Sequence, residues 1–294
     1  MILVAGSTGS LGSEIVRQLR ERGESVRGLV RSTSAPEKVE RLRKMGAETI
    51  VGDLKDRASL DNACRGAKTV ISTVTIIATA QAGDSFADTD SAGTINLINA
   101  AKAAGADHFV FVSFDYRQFP DTPLTSAKRD VEQYLERSGM NYTILRPSLY
   151  MDTWLGPFLF GDLKAGQVKI YGDGNGQVPY IYAADVARVA VYAATTPSAR
   201  NQTFSFGGPE SVSQRGVVKI FEEVVGKPLT VTEVPTQALE AQWSTTDNPF
   251  EKTFSGLMLG VARLNAPAKK VDAIPAPKTT IREFAQQRAA ASTS

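Results

Sequence analysis

The feature that most constrains the fold is a glycine-rich segment, GSTGSLG, at residues 6–12. It follows a short β-branched run at Ile2–Ala5 and precedes a segment of helical periodicity at 12–22. In such a strand–loop–helix unit, one glycine permits the tight turn, one lets backbone amides approach a pyrophosphate, and one allows close packing of helix on strand. The helix N-terminus then favours the negative phosphates. The segment therefore predicts a dinucleotide-binding loop made of Gly6, Ser7, Thr8, Gly9, Ser10, Leu11 and Gly12.

Short β-branched runs alternate with segments of helical periodicity through the first 150 residues. This alternation indicates βαβ units, and because their crossovers are right-handed it predicts an α/β fold with a doubly wound parallel Rossmann sheet. The expected strands are 2–5, 25–30, 49–52, 69–74, 108–113 and 142–145. The expected helices are 12–22, 36–45, 58–65, 87–104 and 125–137.

Beyond residue 150 the pattern changes to aromatic and Gly/Pro-rich stretches. We therefore expect an NADP-binding Rossmann domain at 1–150 and a smaller, partly helical, substrate-binding lobe at 151–294, with elements within 178–206 completing the sheet. The expected elements of this part are a strand at 202–206 and helices at 185–194, 213–225, 236–245 and 250–264. Asp185 is predicted to be the N-cap of the first of these helices.

Composition excludes several classes of function. The 33 basic and 31 acidic residues nearly balance, so we expect no direct nucleic-acid partner and no anionic membrane surface. A single cysteine, Cys64, forbids an intrachain disulfide and fits a reducing compartment. No apolar run approaches the roughly 20 residues that cross a bilayer, and the chain opens on its first strand, so we expect a cytoplasmic protein without a signal peptide. The only histidine, His108, rules out a multi-histidine metal site and is expected at the surface.

The residue that ends the second strand indicates which cofactor is bound. An NAD site has Asp or Glu there for the ribose 2′-hydroxyl, whereas an NADP site has Arg for the 2′-phosphate. This chain has Arg31, followed by Ser32, and its first acidic residue downstream is Glu37. A guanidinium holds phosphate through charge-assisted hydrogen bonds, so we expect NADP(H).

Several motifs together resemble one family. The glycines stand at i, i+3 and i+6, and VRGLVR, GDLKD, FVS, SAK and NYTILRP follow in order. These residues resemble the NmrA-like branch of the atypical short-chain dehydrogenase/reductases, which includes isoflavone-reductase-like and NAD(P)H quinone oxidoreductase-like enzymes and NADP-sensing regulators. The resemblance covers about residues 1–210 well. It implies further cofactor contacts from Asp53, Leu54, Thr73, Val74, Thr75, Lys128 and Pro147.

The Tyr-x-x-x-Lys pair that carries catalysis in the superfamily is incomplete in this sequence. Lys128 is present, but Leu124 stands where the tyrosine is expected. Two proton donors remain open: Lys128 itself, as the resemblance implies, with its pKa lowered by burial, or Tyr116 from the loop after the fifth strand. Ser113 matches the superfamily's catalytic serine.

The aromatic stretch after the sixth strand predicts a substrate pocket at the carboxyl ends of the strands. Its expected residues are Tyr150, Met151, Trp154, Leu155 and Phe158. A second group from the lobe would either complete the wall or form core: Trp243, Phe250, Phe254 and Met258. Such a wall suits a flat apolar ligand.

Three functions are compatible with this sequence to different degrees. The first is an NADPH-dependent reductase that transfers a hydride to a small conjugated or carbonyl substrate such as a quinone, enone or phenolic. The second is a non-catalytic NADP(H) sensor of the NmrA type that acts through a protein partner. An epimerase or dehydratase is disfavoured, since those reactions also depend on the missing tyrosine. The oligomeric state stays open.

Overall fold

The structure is a computed structural model that describes the backbone of residues 1–293 and the side chains of residues 1–291. Its strands are β1 (Ile2–Ala5), β2 (Val26–Val30), β3 (Glu48–Val51), β4 (Thr69–Ser72), β5 (His108–Val112), β6 (Asn141–Pro147), β7 (Gly161–Asp162), β8 (Gln167–Tyr171), β9 (Gln177–Val178), β10 (Gln202–Phe206), β11 (Val212–Ser213) and β12 (Thr230–Val234). Seven of them form one sheet in the order β10-β6-β5-β4-β1-β2-β3, with every neighbouring pair parallel. The predicted doubly wound Rossmann sheet is confirmed.

Helices pack on both faces of this sheet and on the smaller strands of the C-terminal part. They are α1 (Ser10–Glu21), α2 (Pro36–Lys44), α3 (Arg57–Cys64), α4 (Thr94–Ala103), α5 (Pro123–Arg137), α6 (Met151–Trp154), α7 (Ala183–Thr195), α8 (Gln214–Val225), α9 (Thr236–Thr245), α10 (Pro249–Arg263) and α11 (Ile281–Thr293). Apolar side chains of α1, α2 and α7 form one core with the sheet, and those of α3, α4 and α5 form a second core on the other face. Within the described residues, no helix is long and apolar enough to span a bilayer.

The connection into α4 differs from the single helix expected at 87–104. Its first two turns are a π-helix, Phe86–Gly93, which continues directly into α4. The wider turn rotates the side chains away from α-helical positions, and it places Asp90 in the interior with no exposed surface. A π-helical stretch of this kind is common at functional sites.

The C-terminal part contains strands that the sequence pattern did not predict. β8 pairs with β12 in parallel and with β7 antiparallel, and β9 pairs with β11. Apolar residues of α8, α10 and α11 pack against β8 and form a third core. Helix α11 was not expected either, because its hydrophobic residues are few and alternate with long polar side chains.

Two residues do not lie where the sequence suggested. His108 is not at the surface: only 1% of it is exposed, and its Nε2 lies 2.8 Å from the hydroxyl of Thr143 on the neighbouring strand. It begins a central strand whose two faces are both covered, so even the terminal residue is buried.

Asp185 is not the N-cap of its helix, because α7 begins two residues earlier, at Ala183. The carboxylate of Asp152 accepts the hydrogen bond from the Ala183 amide instead. Asp185 is buried, accepts hydrogen bonds from the amides at 278 and 279, and forms an ion pair with Arg188. It therefore fastens the segment before α11 to α7.

Candidate active site

The carboxyl ends of the parallel strands bring most of the predicted site residues to one edge of the sheet. In spatial order, β2 is followed by Arg31, β1 by the glycine-rich loop, β4 by Thr73 and β5 by Ser113, and β6 ends at Pro147. Open α/β sheets bind ligands along this edge, where the strand order reverses. Here the reversal lies between β1 and β4.

Two glycines of the loop are required by packing. Gly6 has a positive φ of 78°, and a Cβ on it would lie 2.5 Å from the Thr73 hydroxyl. A Cβ on Gly12 would lie 2.1 Å from the Gly6 carbonyl oxygen, because α1 packs directly on the turn. The Ser7 hydroxyl donates to the Leu29 carbonyl at 2.8 Å and fixes the loop to β2. These residues set the shape of the loop.

Gly9 is different, because packing does not require a glycine there. Its φ is −77°, and a Cβ would meet only the Gly6 carbonyl oxygen, at 3.3 Å. Gly9 is the N-cap of α1, and no side chain caps the first turn among the residues described. The loop therefore offers open backbone amides and a helix N-terminus to an anion, which is the arrangement that a pyrophosphate requires.

Two cations lie close together just beyond the ends of β2 and β3. Arg31 Nη1 is 3.3 Å from one carboxylate oxygen of Asp84, and Lys55 Nζ is 2.8 Å from the other. Lys55 was not predicted, although it is the fourth residue of the GDLKD motif. Leu54, in the same motif, is buried against Gly93, where a Cβ would lie 2.8 Å from the Leu54 Cβ. Asp53 is half-buried and accepts a hydrogen bond from the Lys55 amide.

Lys128 lies in the interior beside the end of β4. Only 4% of the residue is exposed, and Nζ donates a 2.8 Å hydrogen bond to the Val74 carbonyl. The ammonium also lies 5.2 Å above the Phe111 ring. Burial lowers the pKa of Lys128, and the negative charges of Asp90 and Glu132 offset only part of that effect. A buried lysine with a lowered pKa releases a proton more readily than a surface lysine.

Asp90 is a second candidate functional residue that sequence analysis missed. One carboxylate oxygen accepts the Ile76 amide at 3.1 Å, and the other lies 3.5 Å from Lys128 Nζ. The latter oxygen has no hydrogen-bond partner among the described residues, although it is fully buried. Asp90 thus holds the ammonium in position and supplies a charge that stabilises its protonated form. The sequence does not indicate that Asp90 is buried, because DTDSAG has the composition of an ordinary solvent-exposed helical segment.

Ser113 provides a second buried polar atom without a partner. Its amide continues the ladder to Leu145, but its hydroxyl has no hydrogen-bond partner within the described part of the chain. Alternate residues of a strand share a face, so Ser113 lies on the same side of the sheet as Phe111 and hence as Lys128. Buried hydroxyls are normally satisfied. The Ser113 hydroxyl is therefore a candidate hydrogen-bond partner for a bound ligand.

The hydroxyl of Tyr116 is hydrogen-bonded within the protein. Its hydroxyl donates a 2.7 Å hydrogen bond to the buried carboxylate of Glu132, which also pairs with Arg146. Burial, and then the Glu132 carboxylate, raise the pKa of Tyr116 to about 12. Both effects make the phenol a poorer acid, so this geometry favours Lys128 as the proton donor.

The five residues predicted as a pocket wall, of which Leu155 is buried in the core of the C-terminal part, do not form one surface. Met151 is fully buried in the core of the C-terminal part, and Trp154 packs against the same core. Tyr150 packs against the sheet instead, whereas Phe158 is 81% exposed and makes an edge contact with Phe254, 6.2 Å between ring centroids. The stretch leaves β6 as a turn into the short helix α6, so its side chains point in different directions.

A cleft of about 290 Å³ does open at this edge, one residue beyond Ser113. It lies at the carboxyl ends of β5, β6 and β10 and is closed by residues 264–269. Its apolar lining residues are Phe114, Phe119, Pro147, Leu149 and Phe206. Arg117 and Lys269 supply positive charge at its border, and Arg117 is held by Asp115 and by the Ser205 hydroxyl. Lys128 does not line the cleft.

A family model for the NmrA-like family matches residues 1–274. The chain belongs to this family. The resemblance stated from the motifs is therefore confirmed, and the match extends well past the Rossmann sheet.

Individual relatives support the same placement. The chain is 30% identical to the NAD(P)H azoreductase of Xenophilus azovorans, over 99% of both proteins. It is 32% identical to the photosystem II assembly factor Ycf39 of Cyanophora paradoxa, over 81% of this chain and 73% of that protein. Among solved structures, the fold matches the NADPH complex of an NADPH-dependent quinone oxidoreductase from Escherichia coli, with a TM-score of 0.78 and 21% identity over 98% of this chain and 99% of that one.

Proposed function

We propose that this protein is an NADPH-dependent reductase that transfers a hydride to a small apolar substrate with a conjugated or carbonyl acceptor. The observation that carries the proposal is the pairing of buried Lys128, whose pKa is lowered, with the unpartnered hydroxyl of Ser113 on the same face of the sheet. Both belong to the same part of the sheet edge as the glycine-rich loop, which follows β1 on the other side of β4. The NAD(P)H azoreductase relative, similar along its whole length, supports this class of chemistry.

The residues of the edge fit NADP(H) from end to end. Arg31 and Lys55 would hold the 2′-phosphate, Leu54 the adenine, and the amides around Gly9 the pyrophosphate. Thr73, Val74, Thr75 and Pro147 would line the remainder, as the resemblance implies. When bound, NADPH supplies the hydride.

Lys128 has the proton chemistry that such a reduction needs. After hydride addition the acceptor atom carries negative charge, and an ammonium in the interior can donate a proton to it. Asp90 would stabilise the protonated form of Lys128 and hold it in position, while Ser113 would offer a hydroxyl to the same acceptor atom. General acid assistance of this type contributes about 10²–10⁴-fold to the rate.

The substrate class follows from the cleft. Its volume of about 290 Å³ and its ring-lined walls suit a flat apolar molecule such as a quinone, an enone or a phenolic. We propose that substrate enters here and extends toward Ser113.

Ser148 lines the cleft and is half-buried, so Ser148→Phe should fill the cleft and raise KM by about ten-fold or more, whereas Phe158→Ala should leave KM unchanged. The reverse result would move the substrate to the exposed Phe158–Phe254 surface.

The proposed function is tested by screening NADPH oxidation against quinones, enones and aromatic aldehydes. Turnover with one of these classes is expected. Lys128→Ala should then lower kcat by about 10²–10⁴-fold with cofactor affinity nearly retained. Tyr116→Phe is the control and should change kcat little, because its hydroxyl is bonded to Glu132.

A sensor acting through a protein partner is the second candidate, favoured by the similarity to a photosystem II assembly factor. Binding of NADPH and NADP⁺ without turnover in the full screen would reject the reductase and support the sensor. In either case we propose a cofactor domain at 1–150, whose sheet is completed by elements within 178–206, and a substrate or partner lobe in 151–294. We propose that the protein acts in the cytoplasm, where the buried thiol of Cys64 stays reduced.

A further inference from the structure

The segment between β4 and the π-helix lies across the adenosine end of the site. It is held at its ends by buried Ile76 and Phe86, while every residue from 77 to 83 is exposed. We call residues 77–85 the crossing segment. Its contacts to the cofactor edge are polar: Thr33 donates to the Gln81 side chain at 3.0 Å, and the two cations of the edge bind Asp84.

Asp84 is the one acidic side chain that this segment places against both cations. Its side chain is only 4% exposed, and its two oxygens are divided between Arg31 and Lys55 at 3.3 and 2.8 Å. Burial by itself would raise the pKa of Asp84, but Lys55, the Gln81 amide and Arg31 together lower it below its ordinary value. Asp84 is therefore a carboxylate at neutral pH, and it neutralises the charge that would bind an anion.

A 2′-phosphate needs the same two cations. Arginine and lysine bind phosphate through charge-assisted hydrogen bonds, and a carboxylate within contact distance opposes a second anion by like-charge repulsion. If both anions contacted the same two cations, the carboxylate and the phosphate would lie close enough to repel each other. The backbones of Arg31 and Lys55 are separately positioned, one directly after β2 and one in the GDLKD turn, so we expect the phosphate to replace Asp84 as the partner of these cations.

We propose that Asp84 is an internal competitor for the 2′-phosphate of NADP(H) and sets how strongly the protein discriminates NADPH from NADH. In the free protein its carboxylate occupies the phosphate position and keeps the crossing segment closed. Binding of the 2′-phosphate releases Asp84, and residues 77–85 swing out between Ile76 and Phe86. NADH has no phosphate to displace the carboxylate. This inference rests on the proposed cofactor.

The test compares two nucleotides that differ only in the 2′-phosphate, adenosine 2′,5′-bisphosphate and 5′-AMP, by calorimetry at fixed salt. Asp84→Asn should tighten binding of the bisphosphate by about ten-fold or more and change binding of 5′-AMP by less than about two-fold. Asp88→Asn is the matched control, because it removes one negative charge from the next turn, where the Asp88 carboxylate is hydrogen-bonded to Ser85 and, among the described residues, forms no ion pair with Arg31 or Lys55. It should change neither affinity.

Hydrogen exchange on the unmutated protein gives a second measurement that does not depend on a variant. The amides of Gln81 and Asp84 donate hydrogen bonds to the Asp84 carboxylate and to the Gln81 carbonyl, respectively. Adding the bisphosphate should accelerate their exchange, and adding 5′-AMP should not. Unchanged or weaker bisphosphate binding in Asp84→Asn, or equal effects of Asp88→Asn, would overturn the proposal.

These outcomes separate the inference from the proposed function. If the unmutated protein prefers the bisphosphate over 5′-AMP but Asp84→Asn does not strengthen that preference, only the competitor role is wrong. If neither the unmutated protein nor Asp84→Asn prefers the bisphosphate, the assignment of Arg31 and Lys55 to a 2′-phosphate is wrong as well. The proposal that the protein uses NADPH is then also wrong.

Discussion

His108 makes the stability of this protein depend on pH in a way that can be calculated. Burial, helped by the positive charge of Arg200, lowers the pKa of His108 from its ordinary 6.5 to about 4. The unfolded chain therefore binds a proton on this residue at a higher pH than the folded chain does. The contribution to stability is fully present above pH 6.5 and is lost as the pH falls toward 4.

The two pKa values set the size of the effect. At pH 5 the unfolded state is almost fully protonated at His108 and the folded state is not, which costs about 2 kcal/mol of the free energy of unfolding relative to pH 7. Thr143 donates its own hydroxyl proton to the Ala199 carbonyl, so its oxygen accepts from His108 and Nε2 carries the hydrogen. In the neutral ring this corresponds to the Nε2–H tautomer.

The assay is urea unfolding of the unmutated protein and of His108→Gln, followed by circular dichroism at several pH values between 7 and 4.5. Glutamine can still donate to Thr143 but does not titrate in this range. The variant sets the baseline for all other titrating groups, so the difference between the two curves isolates His108. If the free energies of unfolding of the two proteins change in parallel across this pH range, His108 has the same pKa in the folded and unfolded states. That result would refute the argument.

Other predictions test the site itself. Arg31→Asp should weaken NADPH binding by tens-fold and leave NADH binding nearly unchanged, measured as dissociation constants; equal constants for both cofactors before mutation would contradict the NADP assignment. Gly9→Val should abolish nucleotide binding with an intact circular dichroism spectrum, whereas Gly12→Ala should lower Tm, because its Cβ would lie 2.1 Å from the Gly6 carbonyl. Asp90→Asn should lower kcat and move the loss of activity at high pH to a lower pH, because the ammonium of Lys128 loses the charge that stabilises it; an unchanged pH profile would remove Asp90 from the mechanism.

The first six strands could be predicted because their signals are local. A β-branched run, a turn and an amphipathic stretch each occupy a few consecutive residues, and strand 202–206 was predicted at the bounds that the structure has. Since parallel strands end at one edge, the positions of Arg31, Thr73 and Ser113 relative to one another followed from the order of elements. No information about side-chain contacts was needed for that step.

Contacts between distant segments could not be predicted in this way. Asp84 meets Arg31 across 53 positions, and nothing in the sequence around either residue indicates the other. The buried position of Asp90 depends on a π-helix, and residue composition does not distinguish a π-helix from an α-helix. The strand β12 was missed for a related reason: it is an exposed edge strand, TVTEV, which has little apolar periodicity of its own and is specified by pairing with β8.

One connection carries the contacts that govern both ends of the proposed cofactor site. Between β4 and α4, the Val74 carbonyl and the Asp90 carboxylate hold Lys128, while Asp84 occupies the cations at the adenosine end. Buried Ile76 and Phe86 separate these functions, because they fix the chain on either side of the exposed stretch. Release of Asp84 therefore needs no movement of Val74 or Asp90. The adenosine end can open while the lysine stays in place, so we expect substitutions at position 84 to change cofactor affinity and leave the pH dependence of kcat unaltered.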